Sequence, residues 1–335
     1  MTQAQNQAQN QAQIQAIPTC PGCGGTARTP VLGDGTGGLD VARCDGCGLV
    51  AALGRHRIAV LDEGYGERAG DHDDVDRDRK RRSVALYHTL TGGRLGAPGP
   101  DAAALDLGCN TGLLLDVLAT VGYRTEGVER SPGARAFAAL HHRIHDLDLE
   151  QPDASCGRRY DLVTITHVLE HMTAPVTVAR FVARHLAPAG IGVIEVPNWD
   201  DVARGLWGRR YRPLELGDHV CFFDRDSLTQ ILGRGGLVVD TLWSRPQGAT
   251  LVMPSLLTAL DHARALAPWW RRRTTEGALS ARGDVGERAS GPLRAGVLRA
   301  LDTLDPWLDR LVAPDTRLGA NLVAIVRRAD GADAT

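Results

Sequence analysis

The sequence predicts a doubly wound α/β fold with a mostly parallel sheet, and three observations predict it. An apolar run over 102–107 carries Asp106 and breaks into the turn Gly108-Cys109-Asn110-Thr111-Gly112. The apolar Leu113-Leu114-Leu115 then opens a helix. From there to about residue 243, short β-like runs alternate with helical stretches, the cadence that a parallel sheet with crossover helices requires. Ligands of such sheets sit over the carboxyl ends of the strands, which makes the turn after Asp106 the first place to look for a site.

The elements follow in order. A helix is expected over 77–95, with Val84, Leu86, Tyr87 and Leu90 as its apolar positions. Its Arg79-Lys80-Arg81-Arg82 run is interleaved with Asp74, Asp76 and Asp78, the pattern of a solvated face rather than a nucleic-acid patch. Beyond Gly112 the helix runs to about Thr120 and stops at Gly122. A second strand over 123–128 ends at Glu129, and a helix over 132–141 follows. The third strand and its end are expected in 145–150, where Asp146, Asp148 and Leu149 stand. A fourth strand over 160–166 ends at Thr166 and leads into His167-Val168-Leu169-Glu170-His171. Pro175 starts a helix that is ended by Pro188-Ala189-Gly190, before a fifth strand over 191–196. A short helix over 226–233, a sixth strand over 237–243 and a last strand from Gly319 complete the core.

At 335 residues the chain has room for one large and one small domain. Its 43% hydrophobic and 23% charged content is that of a soluble globular protein. A net charge of −2 provides no overall field to recruit nucleic acid or an anionic membrane. No apolar run approaches the roughly 18–20 residues of a membrane span, and the N-terminus has neither a basic start nor an apolar core. The expected compartment is the cytoplasm. Residues 1–17 are a Gln/Ala/Asn-rich tail with almost nothing to bury and are expected to be disordered.

Four of the seven cysteines come as Cys20-Pro-Gly-Cys23 and Cys44-Asp-Gly-Cys47, twenty residues apart. Two such knuckles brought together form a Cys₄ cage suited to Zn²⁺, closed and therefore structural. Some thirty residues build little core of their own, so metal binding would replace it. The organisation expected is a tail at 1–17, a zinc ribbon at 18–55, and a linker with an N-terminal helix at 56–100. The core at 101–250 is followed by a helical insertion at 251–317 (a lid or a dimer contact), the last strand at 318–328 and a tail at 329–335.

The turn does not have the Gly-x-Gly-x-x-Gly spacing of a dinucleotide fingerprint, because Asn110 and Leu113 occupy two of the three places. It fits acid-x-Gly-x-Asn-x-Gly. Together with Gly127-Val128-Glu129, Tyr160-Asp161-x-Val163, His167-Val168-Leu169-Glu170-His171 and Glu195-Val196-Pro197-Asn198, it resembles the class I S-adenosylmethionine (SAM) methyltransferases. The likeness is to small-molecule enzymes with an N-terminal Cys₄ zinc module, sugar and secondary-metabolite methyltransferases among them. It implies a Rossmann-like seven-stranded sheet and covers about 18–239, resuming at Gly319. Its main departure is Asn110, where glycine is usual.

The resemblance also implies roles. Asp106, Gly108, Asn110 and Gly112 would cradle the methionine part of SAM, and Glu129, some 20 residues after the turn, would take the ribose hydroxyls. Asp148, or else Asp146, with Leu149 beside it, would meet the adenine; Thr166 and His167 would flank the bound cofactor. Methyl transfer from a sulfonium is an in-line displacement, so holding the reactants in attack geometry can supply ~7–11 kcal/mol. A base for the acceptor's proton adds about 10²–10⁴-fold. His167, His171 and His219 are the candidates. Some quinone-precursor O-methyltransferases bind a divalent cation through Glu-x-Leu-Glu-His; His167 replaces the first Glu here, which leaves a cation role for Glu170 and His171 as the lesser reading. Trp199, Trp207 and Tyr211 are candidates to line an acceptor pocket. The expected partner is a small-molecule acceptor, with no nucleic acid or membrane, and a second copy of the chain where the insertion is a dimer contact rather than a lid. Two other readings are RNA base methylation with the ribbon as reader, and a non-catalytic SAM-binding module.

Overall fold

The structure is a computed structural model that describes residues 14–16, 18–32, 40–53, 55–57, 74–208, 211, 219–245 and 319–329. The insertion expected at 251–317 lies outside these residues. The chain divides into two compact units. One comprises 1–198, 215–243 and 322–335; the other comprises 199–214 and 244–321.

The first element is the short strand β1 (Ile14–Ala16), where Ile14 interrupts the polar repeat of the tail. It is followed by β2 (Arg28–Leu32), β3 (Asp40–Cys44), β4 (Val50–Leu53) and β5 (Arg55–Arg57). Strands β1 and β5 pair antiparallel, so the expected disorder of 1–17 does not extend through Ile14–Ala16.

Helix α1 (Asp74–Leu90) precedes β6 (Ala103–Leu107), and α2 (Leu113–Val121), β7 (Arg124–Val128), α3 (Pro132–Ala138) and β8 (Arg143–His145) follow it. Then come β9 (Tyr160–Thr166), α4 (Pro175–His185), β10 (Leu186–Pro197), α5 (Val202–Trp207) and β11 (Cys221–Phe222). The described chain closes with α6 (Arg225–Arg234), β12 (Leu237–Arg245) and β13 (Asn321–Arg328).

Seven strands form one sheet in the order β12-β13-β10-β9-β6-β7-β8. The pairs β6–β7, β6–β9, β7–β8 and β9–β10 are parallel. Chain order reverses between β6 and β9, which makes their carboxyl ends the switch point where a crevice opens. All five residues of β6 are buried. Its Leu105 and Leu107 pack with Val163 and Ile165 of β9, while Leu114 and Leu118 of α2 join Tyr87 of α1 in a second apolar cluster.

Among the boundaries that differ from the sequence expectation, three have a local cause. Helix α1 ends at Leu90 because Gly92 and Gly93 take positive φ (62° and 87°), and their N–H groups cap the Thr89 and His88 carbonyls at 3.0 and 2.9 Å. The third strand is β8, which stops before Asp146 instead of occupying 145–150. There the Asp148 carboxylate accepts the Glu150 N–H at 3.1 Å and its carbonyl accepts that of Gln151, the turn chemistry typical of aspartate. Pro188-Ala189-Gly190 is a bulge inside β10 rather than a loop before it. A side chain at Gly190 would stand 2.8 Å from the Tyr160 carbonyl oxygen.

A four-stranded sheet in the order β11-β4-β3-β2 forms the cysteine ribbon. Its fourth strand is contributed by 221–222, some 170 residues further along the chain.

Candidate active site and metal centre

Strand β6 ends in the turn that sequence reasoning singled out. The N–H groups of Gly108 and Cys109 both donate to the Val128 carbonyl, at 2.8 and 3.1 Å, which curls the turn over the end of β7. Gly108 has a φ of 73°, and a Cβ there would meet Val168 Cγ2 at 2.4 Å. Asn110 has a φ of 49° and is exposed. The left-handed region explains why asparagine can replace glycine, since its short polar side chain tolerates it better than others.

Asp106 is buried and accepts a 2.6 Å hydrogen bond from Thr164 Oγ1 on the neighbouring strand. Burial pushes its pKa up to about 6, against the Thr164 bond and the positive charge of Lys80 and with the negative charge of Glu129. Glu129 follows β7 and is also buried. Its Oε2 accepts the Asn110 N–H at 2.8 Å and its Oε1 the Ser131 N–H at 2.7 Å. A carboxylate has about four lone-pair sites, so each oxygen retains capacity for a ligand hydroxyl.

The third-strand acids sit on the surface side. Asp146 pairs with Arg135 at 3.0 Å and Asp148 with Arg130 at 3.5 Å, with side chains 62% and 34% exposed. Leu149 is buried.

Thr166 ends β9, and His167 immediately leaves it with a φ of 56°. Positive φ is uncommon for a residue with a side chain and is concentrated at functional sites. His167 Nδ1 lies 3.3 Å from Glu170 Oε1, and Nε2 lies 3.8 Å from Glu195 Oε1. The His167 side chain is 46% exposed; its partial desolvation works to lower the pKa, but the Glu170 hydrogen bond and the charges of Glu170 and Glu195 outweigh that and the opposing Lys80, and raise it. Glu195 also accepts from the Tyr87 hydroxyl at 2.5 Å.

The three histidine candidates gather around one carboxylate. Glu170 is 1% exposed, and the ligand atoms of Glu170, His171 and His219 all lie within 4.8 Å of one another. The His171 and His219 rings meet edge to face with centroids 4.8 Å apart. Burial opposes charge on Glu170, yet the His167 bond and the three histidines hold its pKa below the usual value. Sequence reasoning named the histidines, gave Glu170 only a lesser reading as a cation ligand with His171, placed Tyr87 as an apolar helix position and gave Glu195 no role of its own. The signal available was the pair of motifs containing Glu170 and Glu195. In the other unit, Trp199 is buried with the Arg204 guanidinium 4.1 Å from its ring centroid, and Tyr211 is buried and donates to Asp201. The side chain of Trp207 lies outside the described residues.

The sulfurs of Cys20, Cys23, Cys44 and Cys47 all lie within 4.8 Å of one another, with Cys20–Cys47 and Cys23–Cys44 at 3.5 Å. Tetrahedral zinc with Zn–S of about 2.3 Å places its sulfurs about 3.8 Å apart, so the donor set fits that ion. The N–H groups of Gly22 and Gly25 point at Cys20 and Cys23 Sγ, each at 3.4 Å. Burial pushes the Cys20 and Cys47 thiols up, whereas Gly25 and the neighbouring thiols bring Cys23 down to about 7 against its own burial. A cation in the cage would favour all four thiolates.

A profile described as a methyltransferase domain matches residues 76–242, the span that holds the turn, Glu129 and the histidine cluster. Residues 76–242 belong to the methyltransferase domain family. The methyltransferase domain is 27% identical over 145 residues to a ubiquinone biosynthesis O-methyltransferase of Cereibacter sphaeroides, which covers 40% of this chain and 59% of the relative. It is 31% identical over 119 residues to the protein of the same name from Xanthomonas campestris, covering 32% and 48%. The chain thus spans between about half and three-fifths of the length of these curated relatives. Among solved structures, a SAM-dependent methyltransferase from Clostridium acetobutylicum is 15% identical, covering 52% of this chain and 85% of that one with a TM-score of 0.39. A sugar N-methyltransferase from Streptoalloteichus is 25% identical, covering 39% and 51% with a TM-score of 0.30. No helix among the described residues is long and apolar enough to cross a membrane.

Proposed function

We propose that this chain is a cytoplasmic SAM-dependent methyltransferase acting on a small-molecule acceptor such as a nucleotide-linked sugar or a secondary metabolite. The observation that carries the reading is the doubly anchored Glu129 carboxylate beside the positive-φ turn at 108–112. Both lie at the end of the sheet where chain order reverses. Asp106, Gly108, Asn110 and Gly112 would hold the methionine end of the cofactor, and Glu129 its ribose. Asp148 or Asp146, with Leu149, would stand toward the adenine; Thr166 and His167 would flank the reacting end.

Bound SAM supplies a methyl group already activated on a sulfonium. The chain's own contribution is placement and proton handling. His167, His171 and His219 are the candidates to take a proton from the acceptor. Glu170, packed against all three, would stabilise the imidazolium that results. The curated relatives are named as O-methyltransferases, which supports a hydroxyl acceptor. The Cys₄ cage would hold zinc in a structural role, because four protein ligands leave no coordination site open.

Incubating the full chain with methyl-labelled SAM and fractionated metabolite extracts, followed by mass spectrometry, tests the reading. One or a few related small molecules should gain the label. Label appearing only on RNA would favour base methylation. Binding of SAM with no transfer to any fraction would favour a non-catalytic module.

A further inference from the structure

We propose that the cysteine ribbon is the positioning element of the acceptor side. By taking 221–222 as its fourth strand it fixes where His219 stands, and the metal in the cage sets that position without governing the SAM turn. The proposal rests on the methyltransferase reading only for what His219 does.

A two-residue strand such as β11 cannot hold its own place. It is fixed by antiparallel pairing with β4, Cys221 opposite Ala51 and Phe222 opposite Val50. Val220, next to His219, is bonded on both sides. Its carbonyl accepts the Ala52 N–H of the ribbon at 2.9 Å, and its N–H donates to the Glu170 carbonyl at 2.8 Å. The ribbon therefore determines how the His219 segment meets the turn that carries Glu170 and His171. His219 is 4% exposed in that position.

The knuckles lie at the points that matter. Cys44 ends β3 and Cys47 stands three residues before β4, so the second knuckle is the hairpin that presents β4 to β11. The first knuckle grips α6, the helix that follows β11. Arg234 donates to the Gly22 carbonyl at 2.8 Å, and a Cβ on Gly22 would stand 2.6 Å from Ile231 Cδ1. Arg43 on β3 pairs with Asp224, the N-cap of α6, at 2.9 Å. Cys20, Cys44, Cys47 and Leu49 share one apolar cluster with Val220, Cys221, Leu228 and Ile231. A ribbon of this size folds on its metal, and the His219 segment inherits its order from the ribbon. The turn at 108–112 is held by bonds to Val128 and Glu129, neither of them a ribbon residue.

The test is hydrogen exchange on the full chain, zinc-loaded and after chelation, with diethyl pyrocarbonate labelling of His219 and SAM calorimetry on the same samples. Chelation should speed exchange at 51–52 and 220–222 by about 10-fold or more and expose His219 to the reagent. Exchange at 103–112 and SAM affinity should not change. Ala52→Pro removes the N–H that holds Val220; it should release 220–222 in the same way while the cage keeps its zinc. Continued protection of 220–222 and His219 after the ribbon opens, or in Ala52→Pro, would overturn the proposal. Opening of 103–112 to the same extent would overturn it too, as would a ribbon found protected in a chain that binds no zinc. Absence of SAM binding alongside the expected exchange pattern would count against the methyltransferase reading alone.

Discussion

The Glu129 carboxylate accepts the backbone N–H of Asn110 at 2.8 Å, so the residue proposed for the ribose also holds the turn proposed for the methionine end. The bond joins two elements that lie 19 residues apart in the chain, and it makes the backbone conformation at Asn110 part of the site.

That conformation gives the first prediction. Asn110 has a φ of 49°, a region in which a β-branched residue costs roughly 1–2 kcal/mol. Asn110→Gly should retain stability within a few tenths of a kcal/mol, whereas Asn110→Val should lose about 1–2 kcal/mol in urea unfolding and bind SAM more weakly. Equal stability of the two variants would contradict the left-handed turn.

Asp106 makes stability depend on pH. Its folded pKa is raised to about 6 from the ordinary aspartate value, chiefly by burial. Between those values the native state keeps a proton that the unfolded chain has released. Its contribution to stability therefore falls as pH rises through that window and stays low above it. That difference corresponds to about 3 kcal/mol. Unfolding measured from pH 4 to pH 8 should show Asp106→Asn gaining on the parent chain by up to about that amount, with the gain complete near pH 7. A difference independent of pH would contradict the buried charge.

His167 should titrate above the ordinary histidine value. Its partial desolvation is outweighed by the hydrogen bond and charge of Glu170 and by the charge of Glu195. The stabilisation that follows is present below the unfolded value of about 6.5 and is lost as pH rises through the folded value. In proton or nitrogen NMR titration, Glu170→Gln should move the His167 midpoint down. An unchanged midpoint would show that Glu170 does not support the charge.

Much of this site was legible because its signals are local. The apolar run of β6, the acid near its end and the glycines of the turn lie within about ten residues, and Glu129 follows at a characteristic distance. The histidines around Glu170 were legible as types, but their convergence depends on bringing His219 back beside His171. What escaped reading is long-range or aperiodic. Tyr87 and Glu195 meet across 108 positions; a motif marks Glu195, but nothing near Tyr87 marks it as the partner. A two-residue strand such as β11 carries no periodicity at all. The misplacement of β8 has the opposite cause. Leu147 and Leu149 alternate with Asp146 and Asp148, a period-two pattern that imitates a strand, while Asp148 in fact closes a turn.

Isothermal titration of SAM into the parent chain and into Glu129→Ala tests the central claim most directly. The account predicts one SAM site per chain in the parent, weakened about 10- to 100-fold in the variant, the scale of losing hydrogen bonds to a charged group. A parent chain that takes up no SAM, or a Glu129→Ala variant that binds it as the parent does, would contradict the account.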